Sequence, residues 1–274
     1  MCIRDRIIES IFESNRAEVD GGSIFTKETE LAINDSQFCN NSVGNDGGAI
    51  CVSQTSSTEI IESIFESNRA EVDGGSIFTK ETELAINGSQ FYNNSAGKNG
   101  GVAALRFKTI IIYGSNFDSN SAGNDGGVFS FFQVLSTTVY DCSHTQNSAS
   151  HDGGVIQSYQ STMNISGCNF SSNSAENKGG VIQEYQGITN ISGSHFSSNS
   201  AENDGGVISA HEGTLTICED SRFMYNRAHN DGGVIDSYEH HTLVIGNGFE
   251  SNNARNRGGV LSIYRGSFAL VKIF

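Results

Sequence analysis

The chain has 274 residues with no proline and no tryptophan, and its formal net charge is −15. So acidic a chain is poorly suited to binding nucleic acid, whose phosphate backbone is contacted by clustered Lys and Arg side chains. No apolar stretch approaches the ~20 residues of a membrane-spanning helix, so we expect no direct membrane insertion. No linker or shift in composition divides the chain, which predicts a single domain.

Pairs of adjacent glycines recur along the whole chain. The first glycines of the ten pairs are Gly21, Gly47, Gly74, Gly100, Gly126, Gly153, Gly179, Gly205, Gly232 and Gly258. Successive pairs are 26 or 27 residues apart. A repeat of this length is typical of a solenoid, in which each repeat forms one layer and buries its apolar face against its neighbours.

Two further columns, meaning equivalent positions in successive repeats, run in phase with the glycines. Nine residues before each first glycine stands Phe12, Phe38, Phe65, Phe91, Phe117, His144, Phe170, Phe196, Phe223 or Phe249. Three residues later stands Asn15, Asn41, Asn68, Asn94, Asn120, Asn147, Asn173, Asn199, Asn226 or Asn252. Stacked rings would fill the interior, and each buried Asn amide would find an identical partner in the next layer.

The remaining part of each repeat alternates apolar and polar residues, which predicts short strands with one face buried. Five residues before the Phe column stands an apolar column: Ile7, Ile33, Ile60, Ile86, Ile112, Val139, Ile165, Ile191, Cys218 and Val244. No helical period is visible, and the absence of proline suits continuous strand ladders. We therefore predict an all-β fold: a right-handed, single-stranded parallel β-helix of the pectin lyase-like kind, with about ten coils.

The repeat signatures resemble those of the chlamydial polymorphic outer membrane proteins. Similar repeats also occur in protist surface proteins. The motif F-x-x-N is Phe38-Cys39-Asn40-Asn41 in one repeat, followed by Gly47-Gly48-Ala49-Ile50 in place of G-G-A-[ILV]. Phe170-Ser171-Ser172-Asn173 and Gly179-Gly180-Val181-Ile182 give the same pattern with Val after the glycines. The resemblance implies a passenger-like β-helix displayed on a cell surface, as in autotransporters, with adhesins among its relatives.

The repeats begin at residue 7, and residues 1–6 fit none of the columns. We interpret residues 1–6 as a non-native or artefactual leader and residues 7–274 as one β-helix domain, a fragment open at both ends. Residues 7–34 are identical to residues 60–87. A duplication of two coils and an assembly artefact both explain this identity.

An acidic column precedes the glycine pairs. It contains Asp20, Asp46, Asp73, Asp125, Asp152, Asp204 and Asp231, and is interrupted by Asn99, Lys178 and Arg257. We expect exposed side chains that favour the turn, with a Ca²⁺-binding ladder as the alternative. The histidines are His144, His151, His195, His211, His229, His240 and His241. Their scattered positions do not predict a zinc site.

Cys142 and Cys168 occupy one column in successive coils, so a disulfide is possible on strand spacing, although free thiols are the preferred interpretation. Cys218, in the apolar column, is expected in the core. Sequons begin at Asn34, Asn40, Asn87, Asn93, Asn164, Asn169 and Asn190. We expect many of these asparagines to point into the wall and thus to be unable to carry glycans.

Two classes of function agree with this pattern. The first is a non-catalytic surface-exposed or secreted module for adhesion or structural presentation, whose partner is an extracellular surface protein or glycan. The second is a carbohydrate-active lyase or hydrolase, since such enzymes share the β-helix. An enzyme needs a non-repeating catalytic constellation, and the constant spacing leaves no inserted loops. The sequence therefore favours the first class, with no catalytic, cofactor-binding or metal-binding residues, at the cell surface or outside the cell, although no signal peptide is visible.

Overall fold

The protein is described by a computed structural model that covers residues 4–218, 220–246 and 248–271. Predictions that fall on residues 1–3, 219, 247 and 272–274 lie outside these described residues. Within the described residues there is no helix, and the chain winds through ten coils of four parallel strands each. The predicted parallel β-helix is confirmed, and its right-handed winding stays a prediction.

Each coil contributes one strand to each of four sheets. Among the described residues, sheet 1 has eleven strands: Arg4–Ile8, Glu30–Asn34, Ser57–Ile61, Glu83–Asn87, Thr109–Tyr113, Ser136–Tyr140, Thr162–Ser166, Ile188–Ser192, Thr214–Cys218, His241–Ile245 and Ser267–Val271. Sheet 2 has ten short strands: Ile11–Glu13, Gln37–Cys39, Ile64–Glu66, Gln90–Tyr92, Asn116–Asp118, Ser143–Thr145, Asn169–Ser171, His195–Ser197, Arg222–Met224 and Gly248–Glu250.

The other two sheets lie on either side of the glycine pairs. Sheet 3 has ten two-residue strands in the described part of the chain: Arg16–Ala17, Ser42–Val43, Arg69–Ala70, Ser95–Ala96, Ser121–Ala122, Ser148–Ala149, Ser174–Ala175, Ser200–Ala201, Arg227–Ala228 and Asn253–Ala254. Sheet 4, also counted over the described residues, has ten: Ile24–Lys27, Ile50–Ser53, Ile77–Lys80, Ala103–Arg106, Phe129–Phe132, Ile156–Tyr159, Ile182–Tyr185, Ile208–His211, Ile235–Tyr238 and Leu261–Tyr264. Coils are numbered from 1 at residues 4–27 to 10 at residues 241–264.

The predicted Phe column forms one ring stack in the interior. Phe38 and Phe170 are fully buried and Phe117 is 1% exposed. Neighbouring rings lie almost parallel, with centroids 4.8 Å apart between Phe170 and Phe196. This separation equals the spacing of parallel strands, about 4.8 Å, because every coil is stacked in register.

Cys218 is not a core residue, contrary to the sequence prediction. Ile217 pairs with Ile191 and with Val244 and is fully buried, so Ile217 holds the apolar column in coil 9. Cys218 pairs with Ser192, which faces outward, and is partly exposed. The extra residue of this 27-residue repeat lies in the turn after the strand, and counting back from Phe223 therefore misplaces the column by one.

The predicted Asn ladder is confirmed. The side-chain amide of Asn94 donates to Oδ1 of Asn120 at 3.0 Å and to the carbonyl of Phe65 at 2.9 Å. The backbone N–H of Asn94 also donates to Oδ1 of Asn120, at 3.0 Å. The same three bonds recur through the interior coils, so each buried amide satisfies both a neighbouring side chain and the backbone.

The two glycines of each pair have different roles. The first, for example Gly205 with φ of +67°, adopts the left-handed conformation that glycine tolerates best. The second makes a close approach between coils. A Cβ atom on Gly206 would lie 2.3 Å from the carbonyl oxygen of Gly233 in the next coil. The first requirement is conformational and the second is steric, which explains why both positions are glycine.

The first strand of sheet 1 includes part of the predicted leader. Arg4, Asp5 and Arg6 pair in register with Glu30, Leu31 and Ala32 of the next coil. Among the described residues, the strand ladder therefore already includes residues 4–6.

Candidate interaction face

Six consecutive coils present an aromatic side chain at the outward end of sheet 4. This aromatic stripe consists of Phe132, Tyr159, Tyr185, His211, Tyr238 and Tyr264. Neighbouring rings are stacked with centroids 4.8–5.5 Å apart and interplanar angles of 4–15°. Because each ring face is covered by its neighbours, the ring edges and the Tyr hydroxyls are the parts left for solvent or a partner.

A hydrogen-bonded ladder of polar side chains follows the stripe along one side. The side-chain amide of Gln133 donates to Gln160, and that of Gln160 donates to Gln186, both at 2.9 Å. Gln186 then donates to Glu212 at 2.6 Å. These residues have positive φ values of 49–54° because the chain turns sharply as it leaves sheet 4. The ladder fixes a row of amide groups beside the rings.

A groove runs along the rod on the other side of the stripe, between the aromatic column and the acidic column. Its two concave stretches have volumes of about 650 Å³ in coils 7–10 and about 230 Å³ in coils 3–6. Tyr238 and Asp231 line the larger stretch, and Phe132 and Asp125 line the smaller one. Since these residues belong to the same two columns, the two stretches lie on one line along the rod, and together they are called the groove.

The acidic column is half-buried, whereas the sequence predicted exposed side chains; Asp73 is only 6% exposed. The reason is a second ladder between coils. Oδ1 of Asp46 accepts the backbone N–H of Asp73 at 3.1 Å, and Oδ1 of Asp125 accepts that of Asp152 at 3.1 Å. These aspartates therefore hold neighbouring coils together in addition to shaping the turn.

Carboxylates outnumber cations in the groove. The charged residues that line its two stretches are Asp73, Asp125, Asp204, Asp231 and Asp236 against Arg106, Lys178 and Arg257, so five negative charges face three positive ones. Burial raises the pKa of Asp236 to about 6, and the nearby Asp204 and Asp231 carboxylates add to this increase. The excess of carboxylates in the groove disfavours the approach of another negative charge.

One histidine joins the acidic column. Nδ1 of His151 lies 3.0 Å from Oδ1 of Asp125 and 3.3 Å from Oδ2 of Asp152. In the described residues this is the one group of three potential metal-ligating side chains. Both carboxylates also accept backbone hydrogen bonds from the next coil, like the other members of the column. The ladder accounts for their positions, and the Ca²⁺ alternative stays a prediction.

Two other histidines lie in the interior, where His144 replaces Phe in the ring stack. Its ring is fully buried, 4.7 Å from both Phe117 and Phe170, and neither nitrogen has a hydrogen-bond partner. Burial lowers the pKa of His144 to about 3, so the imidazole is neutral at ordinary pH. His144 therefore fills the Phe position of the ring stack as an uncharged aromatic ring.

His240 and Glu184 form a sealed polar pair that the sequence did not predict. Nε2 of His240 lies 4.0 Å from Oε1 of Glu184, and both side chains are fully buried. A Cβ atom on Gly213 would lie 2.9 Å from Nε2 of His240, and one on Gly187 would lie 2.7 Å from Oε1 of Glu184. The two glycines leave the space for the pair. Because no solvent reaches it, this pair does not form an active site.

Cys142 and Cys168 are free thiols. They occupy the column that is serine in most coils, and each thiol bonds the carbonyl two residues earlier, at 3.2 Å. Ser36 makes the corresponding bond to Asn34 at 2.8 Å. The cysteines therefore substitute for serine in a hydrogen-bonded column.

The sequon asparagines do not point into the wall, contrary to expectation. They lie at outward strand positions or turns; Asn40, Asn87, Asn93 and Asn169 are exposed, and Asn34, Asn164 and Asn190 are partly exposed. Alternation along each strand places the buried Phe or Ile next to these residues, so their own side chains face out.

These features define the protein as a parallel β-helix repeat module with a structured outer face. The family model of the Chlamydia polymorphic membrane protein repeat matches residues 35–53. This segment forms the sheet 2, 3 and 4 strands of coil 2, and the resemblance stated from the sequence is confirmed for this repeat. No curated protein and no solved structure matches the chain. Over the described residues, no helix is long and apolar enough to cross a membrane.

Proposed function

We propose that the chain is a non-catalytic, surface-exposed or secreted module that acts by adhesion or structural presentation. The observation that carries the proposal is the uniformity of the rod: over the described residues each of the ten coils repeats the same four strands, with no inserted loop. Each outward column therefore presents one kind of contact many times along the axis. Weak contacts repeated in this way give high avidity when they engage together.

The matched repeat supports a location at the cell surface or outside the cell, since it is named for membrane proteins of Chlamydia. The net charge of −15 supports partners other than nucleic acid. An extracellular protein or glycan is the kind of partner that a long polar rod would contact. The alternative, a polysaccharide lyase or hydrolase, would need catalytic groups brought together at a site that departs from the repeat.

The full chain immobilised on beads tests the proposal. We expect the beads to adhere to cell surfaces or extracellular matrix, and adhesion to increase steeply with the density of protein on the bead. In parallel, the soluble chain is incubated with pectin, alginate and xylan, and the release of reducing or unsaturated ends is measured. Turnover that is abolished by one Asp substitution would refute the proposal, as would beads that adhere to no surface.

A further inference from the structure

The groove along sheet 4 has the shape and chemistry of a binding site for a polymer. We propose that it binds an unbranched polysaccharide that carries no acidic groups, with one sugar facing each coil. This inference rests on the proposed surface-contact function and specifies its partner. It depends on the groove, the aromatic stripe and the charge balance, which are independent features of the outer surface.

The geometry favours a linear partner. Six rings repeat along the axis at 4.8–5.5 Å, and the two stretches of the groove lie beside them in coils 3–6 and 7–10. An extended polymer laid in this groove would meet the same set of groups at every coil. A globular protein surface would not enter a narrow groove over such a length, because its own curvature limits the contact.

The groups that line the groove favour a partner rich in hydroxyls. One wall of the larger stretch offers the rings and hydroxyl groups of Tyr238 and Tyr264. Gln157 and Ser262 lie at the edge of the same groove. Tyrosine combines a rigid apolar body with a group that both donates and accepts hydrogen bonds. Alternating apolar and hydrogen-bonding groups match the alternating C–H and O–H groups of a sugar chain.

The charges in the groove favour polysaccharides without acidic groups over acidic ones. The opposite wall carries the acidic column, and two of the three cations in the groove are already paired: Arg106 lies 3.1 Å from Asp73, and Lys178 lies 3.3 Å from Asp204. An acidic polysaccharide would therefore bring its carboxylates next to unneutralised carboxylates. A neutral chain meets no such repulsion, and a chain of amino sugars gains attraction.

In coils 1–3, the positions equivalent to the aromatic stripe are not aromatic. The equivalent positions there are Lys27, Ser53 and Lys80, and coil 4 has Arg106. The β-helix continues unchanged through these coils, so the fold does not require aromatic residues at this position. The change to six consecutive aromatic residues is therefore a feature of the outer surface of coils 5–10.

Calorimetric titration of the full chain tests the inference with three six-sugar probes: a glucosamine hexamer, cellohexaose and hexagalacturonate. We expect the glucosamine hexamer to bind most tightly, cellohexaose to bind more weakly and hexagalacturonate not to bind. In about 1 M salt, where the Debye length falls to about 3 Å, the difference between the first two should shrink. Equal or tighter binding of hexagalacturonate would overturn the inference, as would failure of all three probes to bind.

Matched tyrosine variants locate the site. Tyr238, which lines the larger stretch, is the residue to change. Tyr238→Ala should weaken binding of the glucosamine hexamer about fivefold, as expected for the loss of one contact residue. Tyr238→Phe keeps the ring stack and should cost less. The control is Tyr140→Ala on sheet 1, where Tyr140 is stacked on Tyr113 with centroids 4.4 Å apart. Equal effects of the Tyr238 and Tyr140 alanine variants would overturn the assignment of the groove, and unchanged thermal midpoints show that each variant is folded.

The bead assay separates this inference from the proposed function. If Tyr238→Ala beads adhere to cells as well as wild-type beads do, and adhesion is lost after protease treatment of the cells, the partner is a protein. That result overturns the glycan inference and leaves surface contact intact. If beads of both proteins fail to adhere, the proposed function itself is wrong.

Discussion

Asn173 in coil 7 provides a direct test of the internal asparagine ladder. Its side-chain amide donates to the carbonyl of His144 and to Oδ1 of Asn199, both at 3.0 Å. Its Oδ1 accepts from the backbone N–H and from the side-chain amide of Asn147, again at 3.0 Å. Asn173→Ala therefore removes four hydrogen bonds in the interior.

The cost of this substitution follows from the number of bonds. A buried hydrogen bond contributes about 1 kcal/mol to stability, so the loss of four costs about 4 kcal/mol. The N–H groups of Asn147 would be left buried without an acceptor, which adds to this cost. Such a loss is a large part of the roughly 5–15 kcal/mol that stabilises a typical domain. Urea unfolding followed by far-ultraviolet circular dichroism measures it. Hydrogen exchange of the backbone N–H of Asn147 in coil 6, which donates to Asn173, shows whether protection is lost first at this contact.

Asn169→Ala is the matched control, because Asn169 lies in the same coil but is exposed on sheet 2. Substitutions at such surface positions usually change stability by less than about 0.5 kcal/mol. We expect the Asn173 variant to unfold at a clearly lower urea concentration than the Asn169 variant. Equal midpoints would show that the ladder contributes nothing to stability, and the assignment of four productive bonds would be wrong.

Three further predictions concern other parts of the interior. Gly206→Ala should lower stability by several kcal/mol, because its Cβ atom would collide with the backbone of the next coil. Gly114→Ala should cost only about 1 kcal/mol, because Gly114 has φ of +56° but no atom lies within 4 Å of its added Cβ. Equal thermal midpoints of the two variants would contradict this prediction. His144→Phe should stabilise the protein by about 1–3 kcal/mol, because it removes two unpartnered nitrogens from the ring stack, and a lower urea midpoint would refute this reasoning. Burial raises the pKa of Glu184 to about 7 from 4.5 and lowers that of His240 to about 4 from 6.5. The Glu184 contribution to stability is therefore lost as pH rises from 4.5 through 7, and the His240 contribution as pH falls from 6.5 through 4. Glu184→Gln should remove the loss of stability between pH 4.5 and 7, about 3 kcal/mol, in unfolding measured from pH 4 to 9. An unchanged pH profile would contradict the assignment.

The sequence predicted the inner columns because stacking makes them repeat. Phe38 and its equivalents must fill the same space in each coil, and Asn41 and its equivalents must meet the same partner. Cys218 was misplaced because spacing alone does not show where a coil accommodates its extra residue. The register of Ile217 with Ile191 places that residue in the turn.

The buried pair could not be predicted for a different reason. Glu184 is in coil 7, whereas His240 follows the last residue of coil 9, and neither repeats in its column. Their contact depends on Gly187 and Gly213, whose missing side chains open the space between the coils. A single sequence gives no signal for a contact that depends on two missing side chains. The half-buried acidic column was missed because Asp before Gly is also common in exposed turns.

The aromatic stripe was visible in the sequence, six residues after each first glycine from Gly126 onward, but stacking alone could have explained it. Ring stacking does add stability, roughly 0.5–1.5 kcal/mol per pair beyond the area buried. That contribution does not explain why the stripe ends at Phe132 and is replaced by Arg106 and Lys80 in earlier coils, which fold equally well. Inner columns are set by packing that every coil shares. An outer column that changes partway along the rod is free of this constraint, so its composition is where selection for a binding partner would act.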